Sequence, residues 1–386
     1  TAMNNTKKHQ SISRSLAVIY ASASARMLIP FIILPIMASR LGADEFGRLS
    51  FILIWSGLLS LVVEGGFVTS ANRLAVTSNS QERWLLARRV FSARCVLSCL
   101  IAPLVYIAIL FNSKSVHSDL NFDYAFIFII ACIMGWPAIW YLEATQQLKN
   151  WAKLEAIAYS IFVLMCLFFA KNIENYLLFY ALATFILTLL SWLWLYNDLK
   201  EVRKINPEKS QIWSPTEIAI GLKLAWTMLP INIAGAIYSF ALPALAAGHL
   251  SRSELGVYFM ADRIVRLILS SATPIFSITF PRAVELHNKK ASSAFNYSAR
   301  WAIGGALTGF MILISGIIIW PFIEALIMKF LTGINLEDLR STLLVLGVLL
   351  PLLLCWRFFI NWMLSTKELD MAYRISVFSG ALVGLI

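Results

Sequence analysis

Residues 47–70 read GRLSFILIWSGLLSLVVEGGFVTS. Between Arg48 and Glu64 no residue carries a charge, and bulky apolar side chains fill the stretch without a strand's alternation. A helix that crosses a membrane needs about 20 mostly apolar residues, because the hydrocarbon core is about 30 Å thick and each residue rises about 1.5 Å. The segment meets that length.

Ten further apolar runs lie outward from it, giving eleven segments at roughly 15–39, 47–70, 90–111, 122–144, 153–170, 174–196, 222–248, 254–280, 299–322, 341–365 and 371–386. Composition agrees. Of 386 residues 59% are hydrophobic and only 14% are charged, against about 25% charged in soluble proteins. Mean hydropathy is +0.74. A soluble enzyme, a nucleic-acid-binding domain and a secreted disulfide scaffold are excluded. The net charge of +11 fits basic cytoplasmic loops rather than a nucleic-acid partner.

The expected fold is an all-α polytopic membrane protein of about 12 transmembrane helices. Eleven fall in the sequence, the last stopping in mid-run at Ile386, with a twelfth expected beyond it. Thr1-Ala2 before Met3 reads as an added dipeptide. Residues 1–14 are a polar tail without the features of a cleavable signal. Residues 15–196 form an N-lobe of helices 1–6, and 222–386 a C-lobe of helices 7–11. Between them, 197–221 is a basic linker holding Lys200, Arg203, Lys204 and Lys209 with Pro207 and Pro215 as breakers. With the N-terminus in the cytoplasm, 21 of the 32 Lys and Arg fall on that side and 7 on the other. Arg73, Arg83, Arg88, Arg89 and Arg94 count on the cytoplasmic side. The bias supports this orientation.

The second half echoes the first at an offset of 209. LGADEFGRL (41–49) aligns with LSRSELGVY (250–258), placing Leu41, Glu45 and Gly47 on Leu250, Glu254 and Gly256, and Arg73 on Arg282. Six helices separate equivalent positions, so the halves share one orientation and form a parallel repeat. Such an arrangement suits alternating access.

Three stretches carry a family resemblance. ASRLGADEFGRLSFILIWSGLLSLVVEGGFVTSANRLAV (38–76) resembles the first hairpin of Wzx-type O-antigen and polysaccharide flippases, within the multidrug/oligosaccharidyl-lipid/polysaccharide exporter superfamily. PAIWYLEATQQLKNWAKLEA (137–156) resembles that family's Pro-x-x-Trp-x-x-x-x-x-Gln pattern, on Pro137, Trp140 and Gln146. LGVYFMADRIVRLILSSATPIFSITFPRAVEL (255–286) resembles its eighth-helix segment, with Gly256, Tyr258 and Ala261. The chain departs from the family at Leu142-Glu143, where a Gln-Gly pair is usual. The resemblance implies two lobes of six helices. It also implies movement of an undecaprenyl-diphosphate-linked oligosaccharide from the cytoplasm to the periplasm across a bacterial inner membrane, with polysaccharide-assembly proteins as partners.

Charges inside apolar segments are costly, about 2.5–3.5 kcal/mol each on insertion scales, so each should face protein or water. Arg26 lies near the middle of the first segment, ahead of Pro30 and Pro35. Glu64 precedes Gly65-Gly66 in the second, Asp262, Arg263 and Arg266 lie in the eighth, and Arg357 lies in the tenth. The four arginines are candidates for holding the diphosphate, because a guanidinium presents a planar fork of donors and stays charged. Tyr20, Asn232 and Tyr238 are candidates for the sugar path. Glu64 and Asp262 could pair with arginine or carry coupling protons or sodium ions. The competing reading is structural pairing, Arg26 with Glu64 and Asp262 with Arg266 at i, i+4. Arg40, Arg48 and Arg73 read as loop anchors.

The five cysteines sit in apolar runs without ligand spacing and read as small packing residues, and the four histidines are scattered, so no metal site is expected. Gly305-x-x-x-Gly309 matches the close-packing motif, most simply for packing within the chain. No P-loop is present, and no cofactor is expected. Asn4 and Asn296 open glycosylation sequons on the predicted cytoplasmic side. Other functions considered are a cation-coupled drug exporter of the same superfamily and a membrane glycan polymerase or ligase. The surplus of arginine argues against cationic drugs. Short external loops argue against the enzymes.

Overall fold

The computed structural model describes residues 33, 36–42, 44–111, 120–145, 147–205, 214–236, 250–272, 275, 279, 282–283, 286–287, 290–327, 335–363, 375–376 and 379. The tail 1–14, most of segments 15–39 and 371–386, and the middle of the linker lie outside them. Every regular element among the described residues is a helix. After a stretch at 44–64 (α1) come α2 Phe67–Thr77, α3 Ser80–Phe111, α4 Leu120–Gly135, α5 Ile139–Ala144, α6 Leu148–Phe169, α7 Ile173–Ile205 and α8 Pro215–Ala236. Then follow α9 Arg252–Ser271, α10 Ala291–Ile327, α11 Leu336–Gly347 and α12 Leu350–Met363.

Among the described residues seven stretches are long and apolar enough to cross a membrane: Asp44–Val76, Ser80–Ile107, Phe122–Ala144, Trp151–Phe169, Ile173–Lys200, Ala291–Phe322 and Leu336–Ile360. They coincide with seven of the predicted segments. The chain is therefore an α-helical, multi-pass membrane protein. Its surface says the same. On α10, Ile303, Leu307, Phe310, Ile314, Ile318 and Phe322 follow one another at helical spacing, each more than half exposed. Hydrocarbon, not water, is the medium that such a stripe fits.

Residues 51–236 form one compact unit, and 33–50 with 250–379 form a second. Packing and repeat divide the chain differently at two places. α8 packs in the first unit, on α3 and α2, although the repeat assigns 222–248 to the C-lobe. Residues 33–50 pack in the second unit.

In the first unit, α2 presents Phe67, Ala71 and Ala75 on one face, toward Leu86, Val90, Ala93 and Leu97 of α3 and Trp140, Tyr141 and Leu142 of α5. The small alanines let the helices approach, which in lipid substitutes for a hydrophobic driving force. In the second unit the dominant packing is α10 on α12. A Cβ on Gly305 would lie 3.0 Å from Leu354 O, and one on Gly309 would lie 2.6 Å from Pro351 Cα. The Gly-x-x-x-Gly motif thus serves contact within the chain.

Two spans are broken at points within the first unit. The helix of Asp44–Val76 is interrupted at Gly65 and Gly66, whose φ values of 67° and 73° lie in the left-handed region. That region costs about 1–2 kcal/mol for a residue with a Cβ. Phe122–Ala144 breaks at Trp136–Ala138, where Pro137 has no amide hydrogen to continue the ladder. The freed groups find side chains: Ala138 N donates to Ser191 Oγ at 2.9 Å, and Trp192 Nε1 donates to Trp136 O at 2.8 Å.

Candidate functional site

A charged side chain stands at each of the two breaks in the first unit: half-buried Glu64 at the first and buried Arg94 at the second. The Glu64 carboxylate accepts hydrogen bonds from Gly66 N at 2.8 Å and Val68 N at 2.6 Å. It therefore caps the amide end of α2, where the helix dipole is positive. Asn232 Nδ2, from α8, donates to the same carboxylate at 3.3 Å. At the other break, Arg94 Nη1 donates to Trp136 O at 2.5 Å and to Pro137 O at 3.1 Å. The arginine is fully buried, its guanidinium 5.5 Å from the centre of the Phe67 ring.

The charge count along the sequence places Arg94 among the basic residues of the cytoplasmic loops and helix ends. It lies about 21 Å along α3 from Ser80. The signal was present: Arg94 falls inside the apolar segment 90–111, and Pro137 marks a span whose carbonyls would need donors.

Polar contacts continue away from the breaks. Asn72 Nδ2 donates to Glu143 Oε2 at 2.8 Å, Tyr141 donates to Asp198, and Arg83 Nε donates to Ala75 O at 2.8 Å. Glu143, the departure from the family pattern, is thus engaged by a helix distant in sequence. Arg89 holds Glu217, at the start of α8, through contacts of 2.5 and 3.4 Å. That guanidinium keeps the Glu217 carboxyl below the usual carboxylate range. An aromatic group of Phe91, Trp136 and Trp192 packs edge to face beside the second break.

In the second unit, Ser251 and Glu254 form a capping box that starts α9. Phe46 packs edge-on against Phe259 at 6.2 Å. Asp262 and Arg266 pair at 2.5 Å, as their i, i+4 spacing predicts. The Arg263 guanidinium lies 4.6 Å from the centre of the Phe259 ring, a cation–π arrangement. Arg357 is half-buried on α12. A cavity of about 220 Å³ is lined by Ile268, Trp301, Gly305, Thr308, Leu354 and Phe358 among others, and by none of the predicted arginines. Among the described residues no three His, Cys, Asp or Glu side chains gather as a metal site.

Of the predicted site residues, Glu64 and Asn232 are brought together in the first unit, and Asp262, Arg263 and Arg266 share α9 in the second. Arg26, Tyr20 and Tyr238 lie outside the described residues.

Fold and charge placement define a polytopic helical membrane protein with charged side chains at breaks in its spans. It belongs to the polysaccharide biosynthesis protein family, whose description matches it over residues 12–287. A protein of Shigella dysenteriae named "Putative O-antigen transporter" is 23% identical over 304 residues, which cover 76% of this chain and 73% of the relative. No solved structure matches the chain significantly.

Proposed function

We propose that the protein is a flippase rather than an enzyme. Its cargo is an undecaprenyl-diphosphate-linked oligosaccharide such as an O-antigen repeat unit. It carries that cargo from the cytoplasmic to the periplasmic leaflet of a bacterial inner membrane, by alternating access of two six-helix lobes, with its N-terminus in the cytoplasm. The family match over most of the chain, with a relative named as an O-antigen transporter, carries this reading. No bond is made or broken. The barrier is desolvation of a diphosphate and a glycan, while the polyprenyl tail stays in lipid. Arg26, Arg263, Arg266 and Arg357 lower that barrier by offering forked donors to phosphate oxygens. Tyr20, Asn232 and Tyr238 meet the sugars. Glu64 and Asp262 are counter-charges, and they are the groups through which a proton or sodium gradient would act.

The test is restoration of surface polysaccharide in a strain lacking its own flippase. Arg26→Ala and Arg357→Ala should abolish export while the protein stays in the membrane, and Lys at either position should rescue poorly because the fork is lost. Full export by both alanine variants removes these arginines from the path. Purified protein in vesicles, given defined polyprenyl-diphosphate sugars with and without a proton gradient, tests cargo and coupling together. Loss of drug tolerance in place of surface polysaccharide in the deletion strain would favour a small-molecule exporter.

A further inference from the structure

The two breaks in the first unit expose opposite ends of helices to one neighbourhood. The break at Gly65-Gly66 presents the amides that begin α2. The break at Trp136–Ala138 presents carbonyls just past the end of α4. The two sites touch: a Cβ on Gly135, the last residue of α4, would lie 2.5 Å from Val63 Cβ and 2.7 Å from Ser60 O. The end of α4 is therefore pressed against α1 immediately before α1 itself breaks. Each end carries a partial charge of about half a unit, positive at amides and negative at carbonyls. Glu64 supplies the countercharge to the first and Arg94 to the second, and the Arg94 guanidinium lies 5.5 Å from the ring of Phe67, the first residue of α2, so both charges stand at the same helix start.

One nitrogen of Arg94, Nη1, makes both carbonyl contacts. Among the described residues its Nε and Nη2 have no acceptor. Arg94 is thus held by its charge and one donor, not by a forked pair of bonds.

We infer that Arg94 and Glu64 form a clamp that keeps the two broken spans in register. Arg94 is a positioning residue for transport: it acts through the helix breaks and not by contact with cargo. Its consequence for transport rests on the flippase reading, whereas the clamp itself does not. Because a single nitrogen suffices, lysine can replace it. This reverses the expectation for an arginine that grips a diphosphate.

The experiment uses the full-length protein in nanodiscs and vesicles. Thermal midpoints are measured for R94A, R94K, E64Q and the R94A/E64Q double variant. Transport rates are measured against the concentration of a polyprenyl-diphosphate sugar. R94A should lower the maximal rate at least about tenfold with the half-saturating concentration held within about twofold, and R94K should stay within about twofold of wild type on both. The double variant should lose less midpoint than the two single losses combined, because each single change strands the other charge. R94K as impaired as R94A, a half-saturating concentration that rises with R94A, or additive midpoint losses would each overturn the inference. If R94A fails to fold, R94K against R94Q gives the same comparison. If the wild type moves no lipid-linked sugar, the flippase reading fails while the midpoint coupling still judges the clamp.

Discussion

Gly66→Ala separates a break that the fold requires from one that it merely tolerates. In most helices the substitution stabilises, by about 0.4–1 kcal/mol, because alanine has less freedom to lose. Here two costs oppose that gain. The residue sits at φ 73°, ψ 11°, where a Cβ costs about 1–2 kcal/mol. The added Cβ would also lie 2.6 Å from Met228 Cβ, 2.9 Å from Leu229 N and 3.0 Å from Met228 C. Two of those three atoms are backbone, so relief requires α8 to move as a body, and overpacking of that kind costs about 1–3 kcal/mol. The net loss is about 1–4 kcal/mol. Unfolding of the purified protein in a denaturing detergent reads it directly. Gly304→Ala is the control, because a Cβ there has nothing within 4 Å. It should be neutral or more stable by about 0.5–1 kcal/mol. G66A matching wild type, or G304A losing as much as G66A, would refute the reasoning.

Gly309→Ala should cost about 1–3 kcal/mol, since its Cβ would meet the Pro351 backbone at 2.6 and 2.7 Å; the same unfolding assay measures it. Ser191→Ala leaves the buried Ala138 amide without its acceptor and should cost about 1–3 kcal/mol in that assay. Glu217→Gln should remove an acid-sensitive part of stability. The folded carboxyl titrates below its unfolded value, so its contribution is complete above about pH 4.3 and vanishes as pH falls through the folded value. The thermal-midpoint difference between wild type and E217Q should therefore hold steady from about pH 5 to 8 and shrink below about pH 4.

The spans were legible because a membrane helix announces itself by one continuous quantity, apolar length, and seven predicted segments fall on seven observed stretches. The Asp262–Arg266 pair was legible because helix geometry alone sets i, i+4 neighbours. Contacts between helices were not. Asn72 with Glu143 and Arg89 with Glu217 are separated by 71 and 128 residues, and their meeting depends on rotations that no single segment encodes. Arg94 was misplaced for a related reason. A charge rule that sums over loops assigns every arginine near a segment end to water, whereas the broken span opposite supplies this one with carbonyls. Gly65-Gly66 was visible as a pair, but its partner α8 was not.

The apolar stripe on α10 sets a vertical scale for the molecule. From Ile303 to Phe322 it rises about 29 Å, one hydrocarbon thickness, within a helix about 55 Å long. The turns before Ile303, with Asn296 and Arg300 exposed, must then stand clear of the acyl chains like a mast above a deck. A bilayer only a few ångströms thinner would uncover one end of the stripe or force the helix to lean. The protein's seat in the membrane is thus tied to the thickness of the lipid around it.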